Sequence, residues 1–502
     1  MTCMKRISNY FIIISILSIA ICQNNYNLSL ISKFEIQNAS NNYGVSDVWG
    51  YTDETGIEYA IIGYQYGTYI FDVSSNPSEP ELIADIVGPS GSDYYFHRDY
   101  KTYNDFLYIV NEMTGDDTGM QIIDLSPLPI SSPIKLETYS QISQSHNLWI
   151  DSNGYAFIEN YYPNNIHIVD VTDPWSPTSI GDFYGNDGKN CHDIYTRDNF
   201  AYVSEGWDNQ FGIYDISNIS TPIRLATIPV IGYAHNAWLD ETGDYLLTTE
   251  ETQDQTIKVW DISDLNNINL ISEYIGQNGL AHNVHVKDNY MIISHYTSGL
   301  KIVDIFDPLY PVEVASYDTF PDNDDGGYYG CWGAFPFTNN GYIYGSDMQN
   351  GLYVLDFNQS QAGWSAGKLL NSDHEPLDLA LMRSLTTGLS SLSDPLGQYM
   401  VGSPEGVHDF EISKLGEVID TVSINFSPHS TINQDIYVES IAYIIGDINI
   451  DTIINIQDII LLVNLILSSD THSDLIYYIA DINFDDVINI QDLIMLVNII
   501  IE

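Results

Sequence analysis

The sequence predicts a mainly β fold: a seven-bladed β-propeller closed by its own N-terminal strand, followed by a small α-helical C-terminal domain of loop-helix repeats. Two observations carry this. A short apolar strand ending in Asp recurs seven times, and an acidic twelve-residue loop followed by an apolar helix recurs twice near the C-terminus.

At 502 residues the chain exceeds one typical domain. Residues 1–22 carry Lys5 and Arg6, an apolar run from Tyr10 to Ile21, and polar sequence from Gln23 on. This is the layout of a secretory signal peptide, with an apolar run too short for a comfortable membrane span. A lipid-bearing Cys normally follows a small residue, and Ile21 precedes Cys22, so lipidation is not expected. No later segment reaches membrane-spanning length without charge, so no transmembrane segment is expected once the signal is removed.

Fifteen Lys and Arg against 68 Asp and Glu give a net charge of −53. Such a surface repels phosphate, which excludes nucleic acid as a partner. Acidity serves solubility or a demand for divalent cations. Beyond the signal only Cys191 and Cys331 remain, too few for a disulfide framework, and no CxxC site is present.

The recurring strand reads YIFDV, MQIIDL, IHIVDV, FGIYDI, IKVWDI, LKIVDI and LYVLDF, with Asp at 72, 124, 170, 215, 261, 304 and 356. Alternating apolar residues and Pro-containing turns (SNPSEP, TDPWSP, FDPLYP) mark strands with tight connections, and outer strands follow in PELIADI, PIRLATI, INLISEY and PVEVASY. Two strands precede each Asp strand, as in SHNLWID and YAFIEN. Four strands at this period make a propeller blade. The seventh repeat lacks an outer strand, while Leu30-Ile31-Ser32-Lys33-Phe34 nearly copies Leu270-Ile271-Ser272-Glu273-Tyr274, so residues 29–36 are expected beside 352–356, covering exposed edges.

Residues 28–357, through IHIVD, LKIVD, recurrent His-Asn pairs and GCWGAFPF…GLYVLDF, resemble the LVIVD-repeat or choice-of-anchor B family of exported bacterial proteins. The resemblance implies a propeller-like head joined to an anchoring or sorting module, a secreted, extracellular or cell-surface location in bacteria, and no assigned catalytic activity.

His97, His146, His192, His235 and His282 open the first strand of successive repeats and are expected to ring one mouth of the channel, where imidazoles bind a transition metal or an anionic ligand. The alternative is that each bonds backbone within its own blade. A second column, Asn160, Glu205, Glu250 and His295, is a candidate sugar- or cation-binding face; the acidic loop 322–325 is a weaker cation candidate. No GxSxG, HExxH, GxGxxG or P-loop motif occurs.

Residues 358–440 read as a linker or a small β-module, with strands from Val418 and Asp435. From Asp447 the chain reads DINIDTIINIQD then IILLVNLIL, and 34 residues later DINFDDVINIQD then LIMLVNIII. Oxygen ligands at loop positions 1, 3, 5, 9 and 12, with a backbone carbonyl at 7, follow EF-hand logic, because a hard cation needs six or more converging oxygens. The first set is Asp447, Asn449, Asp451, Ile453 (carbonyl), Asn455 and Asp458; the second is Asp481, Asn483, Asp485, Val487 (carbonyl), Asn489 and Asp492. Two Ca²⁺ ions are expected. Position 6, commonly Gly, is Thr452 and Asp486, so the sharp turn is expected to be made by other means.

Asp at position 12, one helix after each loop and the tandem arrangement make residues 446–502 resemble a type I dockerin, which implies docking to a cohesin-like or cell-surface protein. Ile456, Gln457, Ile490 and Gln491 match the positions that contribute to partner choice in that family and differ from the small hydroxyl pairs often found there. The combined expectation is an exported, non-catalytic binding or scaffold protein, with a glycan or protein ligand on the head. The alternatives are a polysaccharide-degrading enzyme carried by a dockerin, dependent on Glu205 and Glu250, and a structural surface protein with a sorting tail.

Overall fold

The computed structural model describes residues 25–36, 44–91, 97–116, 118–160, 165–184, 191–276, 279–321, 326–438, 444–468 and 473–501. The expected signal peptide, residues 1–22, and the acidic loop 322–325 lie outside them. The chain divides into two compact units, up to Gln361 and from Ala362.

Among the described residues the first unit holds seven four-stranded antiparallel sheets. Six run in sequence order, for example Ser145–Ile150, Tyr155–Asn160, Asn165–Asp170 and Thr178–Phe183. The repeated Asp shapes the turn that follows it, because its carboxylate accepts the backbone N–H two residues on, from Ser74, Ser126, Thr172, Ser217, Ser263 and Phe306 in turn. Such Asx turns reverse the chain toward the outer strand, which is why an acidic residue ends an apolar run.

The seventh sheet combines Cys331–Phe335, Tyr342–Asp347 and Gly351–Phe357 with the N-terminal strand Leu28–Phe34. Here Ser29 faces Asp356, Leu30 faces Leu355 and Ser32 faces Val354, so Ile31 is bulged out. The sixth sheet has the same offset, Val312 on Asp304, Glu313 on Val303 and Ala315 on Ile302, bulging Val314. The bulge recurs because it adds local twist to the outermost strand.

Apolar residues on both faces of the sheets form clusters between neighbours. One joins Val45, Val48 and Phe71 of the first sheet to Phe335 and Val354 of the seventh. The first strands adjoin successively: Val45–Thr52, Arg98–Tyr103, Ser145–Ile150, Asp193–Arg197, Ala234–Leu239, Asn283–Lys287 and Cys331–Phe335, the last also touching the first.

In the second unit, residues 362–438 form a β-module. Two sheets share a core of Leu369, Met382, Tyr399, Phe410, Ile412, Ile424 and Phe426. The strand expected from Val418 is Glu417–Phe426, and that from Asp435 is only Ile436–Val438. Three helices follow, α1 (Ile456–Leu467), α2 (Asp474–Ala480) and α3 (Ile490–Ile501). The second was not expected. Leu462 and Leu496, fully buried, meet Ile448, Ala480 and Ile482 in one small core.

Candidate functional site

The five histidines converge. Ring centroids of His97 and His146 lie 3.9 Å apart, His146 and His192 4.6 Å, His192 and His235 4.3 Å, and His235 and His282 4.5 Å. Trp332 completes the annulus, 4.4 Å from His282 and 5.4 Å from His97.

The imidazoles bond across sheets rather than within their own: His192 Nδ1 meets the His235 carbonyl at 3.0 Å, and His282 Nδ1 the Trp332 carbonyl at 2.5 Å. Asn and Asp residues one or two places on do likewise. Asn147 donates to the His192 carbonyl, Asp99 accepts from Leu148 N–H and Asn236 accepts from Val284 N–H. Together these bonds link the second to seventh sheets in succession.

Burial pushes His97 and His192 well below the usual imidazole range and His235 and His282 down to about 3. Burial also opposes charge on His146, but the Glu112 carboxylate bonded to its Nδ1 prevails and raises it to about 9. Glu112 and Glu251 are the functional candidates that the sequence reading missed. With the histidines they form two groups, His97–Glu112–His146 and His235–Glu251–His282, in each of which one donor atom per residue lies within 4.8 Å of the others.

Farther along the first strands sits an acidic layer in which Lys101 lies 2.9 Å from Asp99 and Asn236 donates to Asp193. Burial raises Asp193 to about 6. Beyond it Trp149, Tyr195, Trp238, His285 and Phe337 pack ring against ring. At the far ends of these strands a cleft of about 370 Å³ is lined by Tyr51, Glu58, Thr102, Asn104, Asp105 and Phe335, among others.

The second expected column does not form a binding face. Glu205 and Glu250 have essentially no exposed surface. Glu205 is bonded to Arg224, Tyr214 and Gln210, and Glu250 to Lys258 and the Gly232 N–H. His295 is buried and neutral, its pKa pushed down to about 3 by burial and the nearby Lys301. Buried carboxylates require paired cations, and these pairs fasten strands within one sheet. Asn160 ends the strand Tyr155–Asn160. Cys191 and Cys331 are buried and not joined in a disulfide.

In the tail the two loops have matching hydrogen-bond networks. Asp447 accepts from the N–H groups of Asp451 and Thr452, and Asp481 from those of Asp485 and Asp486. Asp458 accepts from Ile448, Asn449 and Asn455 N–H, and Asp492 from Ile482, Asn483 and Asn489 N–H, tying loop start to helix start. Asn449 and Asn483 donate to Asp451 and Asp485, while the Ile453 and Val487 carbonyls accept from Asn455 and Asn489. All twelve expected ligand positions are thus gathered in two loops. The sharp turn is made by position 6 itself: Thr452 has φ 70° and Asp486 φ 62°, in the left-handed region.

Ile456 and Ile490 are 67% and 64% exposed. Gln457 and Gln491, also exposed, each accept a loop asparagine's amide.

Residues 188–227 and 278–319 match the LVIVD repeat. The chain carries two such repeats. Among solved structures, a functionally unknown protein from Desulfotomaculum acetoxidans DSM 771 is similar at 15% identity, covering 54% of this chain and 86% of its own, with a TM-score of 0.40. The computationally designed Ika8 protein is similar at 12% identity, covering 65% of this chain and 98% of its own, with a TM-score of 0.43. No curated protein matches. The LVIVD segments cover the fourth and sixth sheets and include His192 and His282 of the annulus.

Proposed function

We propose that this chain is an exported, non-catalytic binding protein. Its head is a seven-bladed propeller closed by the N-terminal strand, and its tail is a calcium-dependent, dockerin-like module that attaches the head to another protein or a surface. One observation carries the tail reading. Each loop places three carboxylates at the expected ligand positions, yet no Lys or Arg occurs anywhere after Lys414. Like charges so placed repel, and a divalent cation from solvent is the available compensation.

The donor set fits Ca²⁺: five oxygen-bearing side chains and a carbonyl per loop, with Asp447, Asp458, Asp481 and Asp492 buried. The ions would be held by Asp447, Asn449, Asp451, Ile453, Asn455 and Asp458, and by Asp481, Asn483, Asp485, Val487, Asn489 and Asp492. Calcium supplies charge neutralisation; the chain supplies the loop shape and the helix cap at Asn455, whose side chain accepts from Gln457 N–H. Exposed Ile456, Ile460, Ile490 and Ile494 give the two long helices an apolar surface for a partner.

Calorimetry on the full chain should find two tail Ca²⁺ ions, with Asp458→Ala and Asp492→Ala each removing one. Retention of both ions by the double variant would refute the assignment. Capture of a cohesin-like partner should require calcium and fail with Ile456→Asp and Ile490→Asp together. Thr452→Gly relieves a left-handed β-branched residue at about 1–2 kcal/mol, offset by about 0.5–1 kcal/mol of glycine entropy. First-loop affinity should therefore rise roughly twofold to fivefold; a weaker site would show that Thr452 contributes a contact of its own.

The enzyme alternative loses its residues, because Glu205 and Glu250 are engaged inside sheets.

A further inference from the structure

We infer that the mouth of the head holds a transition-metal site of the zinc class, formed by His235, His282 and Glu251, with a fourth position open to water or a ligand. The site is separate from the calcium loops and differs from them in donor chemistry: two imidazoles and one carboxylate suit zinc, whereas calcium takes six to eight oxygens.

Convergence comes first. His235 Nε2 lies 3.7 Å from Glu251 Oε2. Bonds of about 2.0–2.1 Å to a tetrahedral ion place donors roughly 3.3 Å apart, so this pair needs little movement, and the pairs with His282, within 4.8 Å, close by at most about 1.5 Å. The His235 and His282 rings are inclined at 48°. Their in-plane lone pairs can therefore meet at one point. The other group is less suited: His97 and His146 are parallel within 8°, which sends their lone pairs side by side, and His146 Nδ1 is already held by Glu112.

Orientation comes second. His282 Nδ1 donates to the Trp332 carbonyl at 2.5 Å, which leaves the lone pair on Nε2. The Tyr296 hydroxyl donates to Glu251 Oε1 and leaves Oε2 for the ion. Outer partners of this kind fix the tautomer and aim of ligands in metal sites. His235 is 2% exposed. Burial keeps both imidazoles neutral near pH 7, the ligating form.

Access comes third. Tyr233 lies 5.1 Å from His192 and 4.8 Å from Trp207, which is 76% exposed, while Tyr328 lies 5.4 Å from Tyr296. These aromatic rings rim the open position and suit a ligand with an apolar or planar face beside its metal-binding atom.

The test uses the full chain, stripped with chelator and returned to excess Ca²⁺ so that the tail loops are filled, then titrated with Co²⁺. One equivalent should bind, with the intense visible absorption of a four-coordinate ion, and Zn²⁺ should displace it. Glu251→Gln should weaken binding at least tenfold and Tyr296→Phe by a smaller factor. Thermal melts confirm that each variant is folded; if His282→Gln fails to fold, Glu251→Gln and Tyr296→Phe still decide. Absence of stoichiometric cobalt binding, six-coordinate spectra, or loss with Glu112→Gln but not Glu251→Gln would each overturn the assignment.

Discussion

A chain lacking Tyr26 to Ile36 will lose the cooperative melt of the head and aggregate. The strand Leu28–Phe34 does more than add an edge to the seventh sheet. Just before it, Tyr26 donates to Glu313 at 2.6 Å and Asn27 to the Val314 carbonyl, both in the sixth sheet, and Phe34 packs 4.4 Å from Phe71 in the first. Three sheets are thus held by one segment. Burial of Leu28 and Ile36 contributes about 1.5–3 kcal/mol each, half-buried Phe34 contributes less, and each ladder hydrogen bond about 1 kcal/mol. The loss approaches 10 kcal/mol, comparable with the whole stability of a domain, about 5–15 kcal/mol. Deletion also bares the edge of Gly351–Phe357, a template for aggregation. A peptide of residues 25–36 added in trans should restore part of the melt. An unchanged melt after deletion would remove the basis for reading the head as a ring closed by this strand.

Acid will destabilise the head by about 3 kcal/mol per pH unit between pH 6 and 5, measured by urea unfolding in chelator. His235, His282, His285 and His295 sit at about 3 in the folded chain, and His97 and His192 well below normal, all through burial first. The unfolded value is about 6.5, so below it the unfolded chain takes protons that the folded chain refuses. Stability is therefore full above pH 6.5 and falls as pH drops toward 3, each histidine contributing about 1.4 kcal/mol per unit. Carboxyls raised by burial oppose this: Glu159 at about 7, Asp193 and Asp347 at about 6, and Asp47 well above normal. Four acids against six histidines leave two histidines' worth of slope. His146, raised to about 9, adds stability that is full below pH 6.5 and lost as pH rises through 9. The optimum thus lies near pH 6.5–7. His285→Leu should flatten the acid slope by about one histidine; equal stability at pH 7 and 5 would contradict the burial of the annulus.

Much of the head was legible because its signals repeat. The Asp-terminated strand is fixed by turn chemistry, and the kinship of Leu30–Phe34 with Leu270–Tyr274 reflects a shared bulge that shapes both strands. The five histidines were found by the same repetition. Trp332 was missed because it fills the sixth place with a different side chain. Glu112, Glu251 and Tyr296 were missed by one residue: the sequence column at Glu205, Glu250 and His295 is buried in the sheets, and Glu112, Glu251 and Tyr296 follow just beyond strands that end at Asn111, Glu250 and Ser294. The tail loops were legible because one twelve-residue frame with oxygen-bearing side chains at fixed positions occurs twice. Helix α2, at seven residues, is too short to show a period, and the β-module at 362–438 has no repeat to amplify its pattern.

The place of Gly351–Phe357 in its sheet has a mechanical consequence. The chain leaves the head from this strand, which lies between Leu28–Phe34 and Tyr342–Asp347. Tension applied through the tail therefore enters a strand gripped on both sides and loads two hydrogen-bond ladders in shear, so that many bonds must yield together. An edge strand in the same position would peel one bond at a time.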